Sequence, residues 1–265
     1  MGGRWGVGVL GLMILVIIGC STVSETGRRQ VRLVPEAQEL QLGLTAFEEM
    51  KKEVPVSKDA AANEMLQRVG KKVAGVAGLE NAQWEFVLFD SKEVNAFCLP
   101  GGKVGVYTGI LPVTKNEAGL ATVIGHEVAH AKAHHGAERM SQALLLQAGG
   151  QAVGAAVSAA GKDKWQTAAT TVYGLGAQVG IALPYSRLHE SEADEMGLTY
   201  MARAGYNPRE AVAFWQRLAE LNKLSGNAGG PWFLRTHPVD ETRIAQLQKL
   251  MPQAEKEYRK SQGVR

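Results

Sequence analysis

One stretch, residues 118–136 (AGLATVIGHEVAHAKAHHG), limits this chain more than any other. Leu120, Val123, Ile124, Val128 and Ala131 recur at helical spacing and Asn116 is placed to cap the amino end, so one amphipathic helix is predicted. Its core, His126-Glu127-Val128-Ala129-His130, reads HExxH. Four residues of helix turn the chain about 40° past a full circle and advance it about 6 Å, so both imidazoles can reach one ion. Glu127 falls about 60° beyond His130 on the same side, too far round to be a comfortable ligand but placed to touch a water on the metal. At this chain's His and Glu content, a chance match to the pattern arises about once in a hundred such sequences. Two imidazoles do not complete a zinc site, so a third ligand has to come from elsewhere.

Residues 186–205 (SRLHESEADEMGLTYMARAG) predict the second informative helix. Glu190 and Asp194 share a face, while Glu192 points about 200° away from Glu190, which makes Glu190 the candidate third ligand. Asp194, one turn on, can accept a hydrogen bond from a ligand histidine and fix its tautomer. Taken alone, the segment also fits a solvated acidic face. His134 lies about 12 Å along the axis from His126 and cannot join the same site. His135 and His189 face elsewhere, so all three are expected as surface or supporting residues.

The start of the chain bears on compartment. Residues 1–19 carry one charge, Arg4, and an apolar run ending Val16-Ile17-Ile18-Gly19, too short and too poorly flanked for a stable membrane span; they read as a secretory signal. Ile17-Ile18-Gly19-Cys20 also resembles a bacterial lipobox, which makes Cys20 the candidate lipidation site. Ser21 in place of Asp favours the outer membrane by resemblance to sorted lipoproteins. The remainder balances 28 Lys+Arg against 26 Asp+Glu, which points to no nucleic-acid partner. With Cys20 lipidated, Cys98 would be the one thiol left, so no intramolecular disulfide is expected. Cys98 reads as a small buried hydrophobe in a strand.

Residues 20–33 are polar, with an Arg28-Arg29 pair, and suit a tether. Residues 35–53 and 59–77 have helical periodicity. Residues 84–89, 94–99 and 103–108 predict a small sheet, with a hairpin turning at Pro100-Gly101-Gly102. One of its strands is expected beside the metal helix with an unpaired edge, able to accept an extended peptide. Residues 137–160 and 164–183 are rich in Gly and Ala and predict two closely packed helices or a mobile helical hairpin over the site.

With these motifs in place, the chain resembles the HtpX and CAAX-prenyl-protease family of zinc metallopeptidases, peptidase family 48 of the metallo class. In form it is most similar to the family's soluble periplasmic lipoprotein members. HEVAH followed by Tyr185-Ser186-Arg187 and the Glu190 to Asp194 run carries the resemblance. So do Asn95-Ala96-Phe97, Val106-Tyr107-Thr108-Gly109, Ala204-Gly205-Tyr206-Asn207-Pro208, and Thr236-His237-Pro238 with Arg243 six residues after the histidine. The resemblance implies a mostly helical α+β fold of the zincin (gluzincin) type. It also implies one Zn2+ on His126, His130 and Glu190, and a catalytic support role for Asp194, often described as a proton donor. His237 would approach the zinc or the developing oxyanion from a late loop, and Arg243 would pair with the acidic cluster. Alone, His237 before Pro238 reads as a loop histidine at a helix start.

The expected organisation is a signal over 1–19, a lipidated tether over 20–33, a metallopeptidase domain over 34–250 and a polar tail over 251–265. The expected function is a zinc endopeptidase on the periplasmic side of a bacterial envelope, lipid-anchored to the outer membrane. Glu127 would be its general base, and misfolded or stalled envelope proteins, bound as extended peptides, its substrates. One rival is a chaperone-like assembly or binding factor whose zinc site is held closed. Another, weaker, is an amidase acting on cell-wall peptides.

Overall fold

The computed structural model describes residues 20–79, 81–178, 182–226 and 230–264, with backbone alone for 183–185; the expected signal over 1–19 lies outside these. The described residues form two compact units, one holding residues up to 38 together with 134–189, the other 39–133 together with 190–265.

The second unit is built on a three-stranded sheet, β3 (Glu85–Phe89), β4 (Ala96–Leu99) and β5 (Lys103–Tyr107), in the order β3-β5-β4. The expected hairpin joins β4 to β5, with Gly101 and Gly102 at φ of +84° and +82°, where a side chain would be strained. β3 adds to the other side of β5 in parallel. β5 is buried along its length, and Gly105 leaves room for the rings of Phe97 and Phe89; a methyl there would fall 2.2 Å from Phe97 Cζ. Those rings join Phe47 and Tyr107 in an edge-to-face and tilted cluster with centroids 5.6 to 6.3 Å apart. Two helices precede the sheet: α1 (Glu36–Glu53) and α2 (Ala60–Ala74), the latter capped by Asp59 Oδ1 accepting from Ala62 N at 3.0 Å.

After β5 come the short α3 (Leu111–Thr114) and α4 (Glu117–Lys132), the HExxH helix. Asn116 Oδ1 caps α4 by accepting from Gly119 N at 2.9 Å. The expected amphipathic face is absent: every residue from Gly119 to His130 is buried. α2, α3, the edge strand β4 and α8 (Arg209–Ser225) all pack on it, so no side is left for water. α4 also ends at Lys132 rather than running to residue 136, because His134 turns into the left-handed region at φ +55°.

α7 (Leu183–Arg203) enters this unit at Glu190 and crosses α4. α9 (Trp232–Thr236) and α10 (Glu241–Ser261) complete it, with Asp240 Oδ1 capping α10 through Arg243 N at 2.8 Å. Most of the expected polar tail is thus the end of a helix. Leu247 and Ala254 bury one stripe of α10, and Arg203–Glu257 and Arg209–Glu255 ion pairs at 2.9 and 2.6 Å tie its last turns down.

In the first unit, β1 (Cys20–Thr22) and β2 (Arg29–Val31) pair antiparallel, so the stretch expected as a tether holds a small hairpin. It is fixed to the start of α5 (His135–Ala159): Arg28 Nη1 and Nη2 reach the two Glu138 carboxylate oxygens at 3.0 and 2.8 Å, and Leu33 N donates to Ser141 Oγ at 2.8 Å. α5 and α6 (Gln166–Ala177) pack against each other as a helical hairpin closed by a 3-10 turn over Asp163–Trp165. His135 and His189 lie inside this unit, not on its surface: they stack at 4.2 Å, and His189 Nε2 lies 2.9 Å from Glu138 Oε2. Among the described residues no helix is long and apolar enough to cross a membrane.

Candidate metal centre

Four side chains converge in the second unit: His126 and His130 from α4, Glu190 from α7, and His237 from the segment after α9. His126 Nε2 lies 3.1 Å from His130 Nε2, 3.2 Å from His237 Nδ1 and 3.3 Å from Glu190 Oε2. Glu190 oxygens lie 3.3 Å from His130 Nε2 and 3.1 Å from His237 Nδ1. The contacts among these donors run from 3.1 to 3.3 Å, close enough for one ion to reach each of them at the roughly 2.0 Å that zinc makes to imidazole and carboxylate. The donor chemistry gives the same answer. These are mostly lone-pair atoms turned toward one another, and the few protons they can share satisfy only part of the set, whereas one cation satisfies all four.

The charges around the centre are ordered. Burial opposes ionisation of Glu190, yet the surrounding imidazoles of His126, His130 and His237 override it and hold the carboxyl far below its usual range. Burial likewise disfavours a charged His126, but the carboxylates of Asp194 and Glu190 push it up to about 9 in the metal-free chain. His130, buried and beside His126, is driven well below an ordinary imidazole. An ion held here would displace a proton from His126.

Asp194 Oδ1 sits 3.0 Å from His126 Nδ1, so a hydrogen on Nδ1 leaves Nε2 bare toward the metal position. Arg243 from α10 grips Asp194 with Nε and Nη2, the latter at 2.9 Å, and reaches Glu190 Oε2 with Nη1 at 3.0 Å. Its guanidinium lies 3.8 Å from the centre of the Trp215 ring. Glu127 stands outside the four donors, 3.4 Å from His237 Nε2. His237 is positioned by its own N–H donating to Phe233 O at 2.8 Å and by its ring against Phe233 at 4.5 Å. Cys98, in β4 beside α4, is partly buried, and burial raises its thiol.

Two positions that carry no chemistry decide whether the ligands meet. α4 and α7 cross at Gly125 and Gly197: a methyl on Gly125 would come 2.8 Å from Gly197 O, and one on Gly197 would come 2.8 Å from Gly125 C and His126 N. Only glycine at both lets the backbones touch, which brings Glu190 within reach of His126. Gly197→Ala is expected to cost about 1–3 kcal/mol through overpacking and to weaken zinc binding by pushing α7 away. Thermal unfolding of the metal-free variant and a chelator-competition titration check this, and unchanged values in both would show that the crossing yields.

A histidine pair from HExxH on one helix with a glutamate from a second defines the gluzincin class of metallopeptidase site. The family is narrower. A model of Peptidase family M48 matches residues 60–251, which hold every residue of the centre, and this chain belongs to that family of zinc metallopeptidases. It is 36% identical over 190 residues to "Mitochondrial metalloendopeptidase OMA1" of Schizosaccharomyces pombe, covering 72% of this chain and 53% of the relative. To "Metalloendopeptidase OMA1, mitochondrial" of Homo sapiens it is 32% identical over 248 residues, covering 92% of this chain and 46% of the relative. To "Beta-barrel assembly-enhancing protease" of Escherichia coli it is 26% identical over 228 residues, covering 84% and 46%. The chain spans about half the length of these curated relatives. Identity is higher to the mitochondrial relatives than to this bacterial one, against the expected greater likeness to periplasmic lipoprotein members.

Proposed function

We propose that this chain is a zinc-dependent metalloendopeptidase in which His126, His130 and Glu190 hold the ion and Glu127 is the general base. The observation that carries the reading is the convergence of four buried donors with a carboxylate just outside them. Zinc, when bound, supplies Lewis-acid polarisation of a scissile carbonyl and of the attacking water. The chain's own residues do the rest. Glu127 accepts the water's proton and passes it to the leaving amine. Asp194 holds the His126 tautomer, and Arg243 keeps both acidic side chains ionised inside the protein. The edge strand β4, packed along α4, offers main-chain groups to an extended substrate, which gives affinity without a demand for one sequence. An edge of that kind suits unfolded segments.

The substrates that fit are misfolded or stalled proteins of a bacterial envelope, met from the periplasmic side of the outer membrane by a chain anchored through lipid on Cys20. Supporting this are the lipobox resemblance, the exposed position of Cys20 at the start of β1, and the likeness to the bacterial relative. Incubation with an unfolded outer-membrane protein, with fragments mapped by mass spectrometry, is expected to show cuts that stop with a zinc chelator and return with zinc. Cleavage of cell-wall peptides with no cleavage of protein would overturn the reading.

One observation favours the rival, a chaperone-like binding factor: with His237 included, four protein donors could fill all the positions of a zinc ion, whereas a catalytic zinc keeps one position for water. On the peptidase reading His237 is the ligand that leaves. His237→Ala is then expected to bind zinc less tightly and, at saturating zinc, to turn over a loosely folded protein roughly tenfold faster, the gain from removing about 1.4 kcal/mol of closure. A rate lower than that of the parent chain would instead make His237 a direct aid to the reaction.

A further inference from the structure

The helical hairpin of α5 and α6 is chemically unlike the rest of the chain. Residues 140–178 hold three charged side chains, Lys162, Asp163 and Lys164, all in the turn, against about eight expected at the chain's 21% charged content. Among the described residues the outer faces stand open: Val172 is 70% exposed, Leu175 63%, Trp165 58%, and Met140 and Leu144 are exposed too. A soluble surface of this length ordinarily interleaves charges with its apolar groups, and here both arms lack them beyond the first turns of α5.

We propose that this hairpin is a membrane-contacting element that lies along the headgroup region of an anionic bilayer. The distribution of side chains fits that occupant. Uncharged arms carry leucine, valine and alanine outward, and a tryptophan stands at the turn where its ring can lie at the polar boundary. Lys162 and Lys164 immediately precede it, two cations against the one anion Asp163, complementary to acidic headgroups. The arms are too polar and too rich in small residues to span, which places the contact at the interface, about 5–10 Å deep. Continuity within the unit argues the same way. The apolar run over 1–19 ends at the exposed Cys20, whose β1-β2 hairpin is fixed to the first turns of α5 by Arg28 on Glu138 and by Leu33 on Ser141. A lipid on Cys20 belongs to the functional reading above; the hairpin contact does not require it.

The test is fluorescence of the full chain on vesicles of phosphatidylethanolamine and phosphatidylglycerol with brominated acyl chains, Trp165 being isolated by subtracting a Trp165→Phe chain. Trp165 emission is expected to shift to the blue and to be quenched, and the quenching to fall at least tenfold in Val172→Glu/Leu175→Glu, whose substitutions sit at exposed positions. A Cys20→Ser chain is expected to retain the quenching. Water-like, unquenched Trp165 would overturn the proposal, as would quenching that survives the two glutamates or disappears with Cys20. A blue shift without lipid that follows protein concentration, with a dimer by sedimentation lost in the double-glutamate chain, would assign the face to a second copy and equally overturn it.

Discussion

Glu127→Gln is expected to lower the cleavage of a loosely folded protein by about 10²–10⁴-fold while zinc stays at one per chain. The separation of the two effects follows from position. Glu127 is next to a metal-facing histidine in sequence yet is not among the four converging donors, so its loss as a base leaves the metal cage intact. It is buried, and glutamine matches its volume and keeps a carbonyl, so packing on α4 is preserved. What glutamine cannot do is take a proton from water. The measurement is kcat/KM on an unfolded substrate beside metal analysis of the same preparation. Retained cleavage would remove Glu127 from the mechanism. Lost cleavage with full activity in the cell would favour the binding-factor reading, because capture would then be the function and hydrolysis an accessory.

The metal helix was legible in the sequence because its signals are local. Asn116 caps within three residues, and the turn glycines at 101 and 102 announce a hairpin by the φ they must adopt. The pairing of Glu190 with Asp194 on one face is again a matter of helical period. The structure brings the two where the period places them, one toward the donors and one toward His126 Nδ1. What the sequence hid was non-local. Gly125 and Gly197 read as ordinary helical glycines until both helices are in view, since a close approach leaves no periodic trace. The full burial of α4 was hidden for the same reason, as helical period shows one apolar face but not what covers the other. The left-handed turn at His134 ends the metal helix early and starts α5 at His135, which stacks on His189, a non-local pairing that helical period does not show. Strands as short as β1 and β2 carry no alternation long enough to read. Arg243 had no spacing rule behind it: it meets Asp194 from 49 residues away, and only family resemblance drew attention to it.

Arg243→Met is expected to destabilise the metal-free protein by about 3–5 kcal/mol at neutral pH, the cost of leaving buried charge without its partner. Methionine fills much of the space against Trp215, so the loss isolates electrostatics rather than a cavity. In the parent chain burial alone would raise Asp194; the guanidinium, by its charge and its hydrogen bonds, holds it below the ordinary carboxylate value instead. A depressed folded-state pKa contributes stability that is present above the unfolded value and is lost as pH falls through the folded one. Removing Arg243 leaves burial opposed by His126 alone. Asp194 then titrates higher than in the parent chain, and the penalty is largest at neutral pH and shrinks toward about pH 4.5 as the acid takes up a proton. Zinc should offset part of the loss, since a dication beside Glu190 replaces some of the missing positive charge. Denaturant unfolding with and without zinc at both pH values measures all three effects. Arg243→Lys should recover little, because one ammonium cannot bridge two carboxylates and lie flat on an indole at once. A neutral-pH loss under about 1 kcal/mol, or one that grows on acidification, would mean that the acidic pair is neutralised by other groups and that Arg243 is not what keeps it charged.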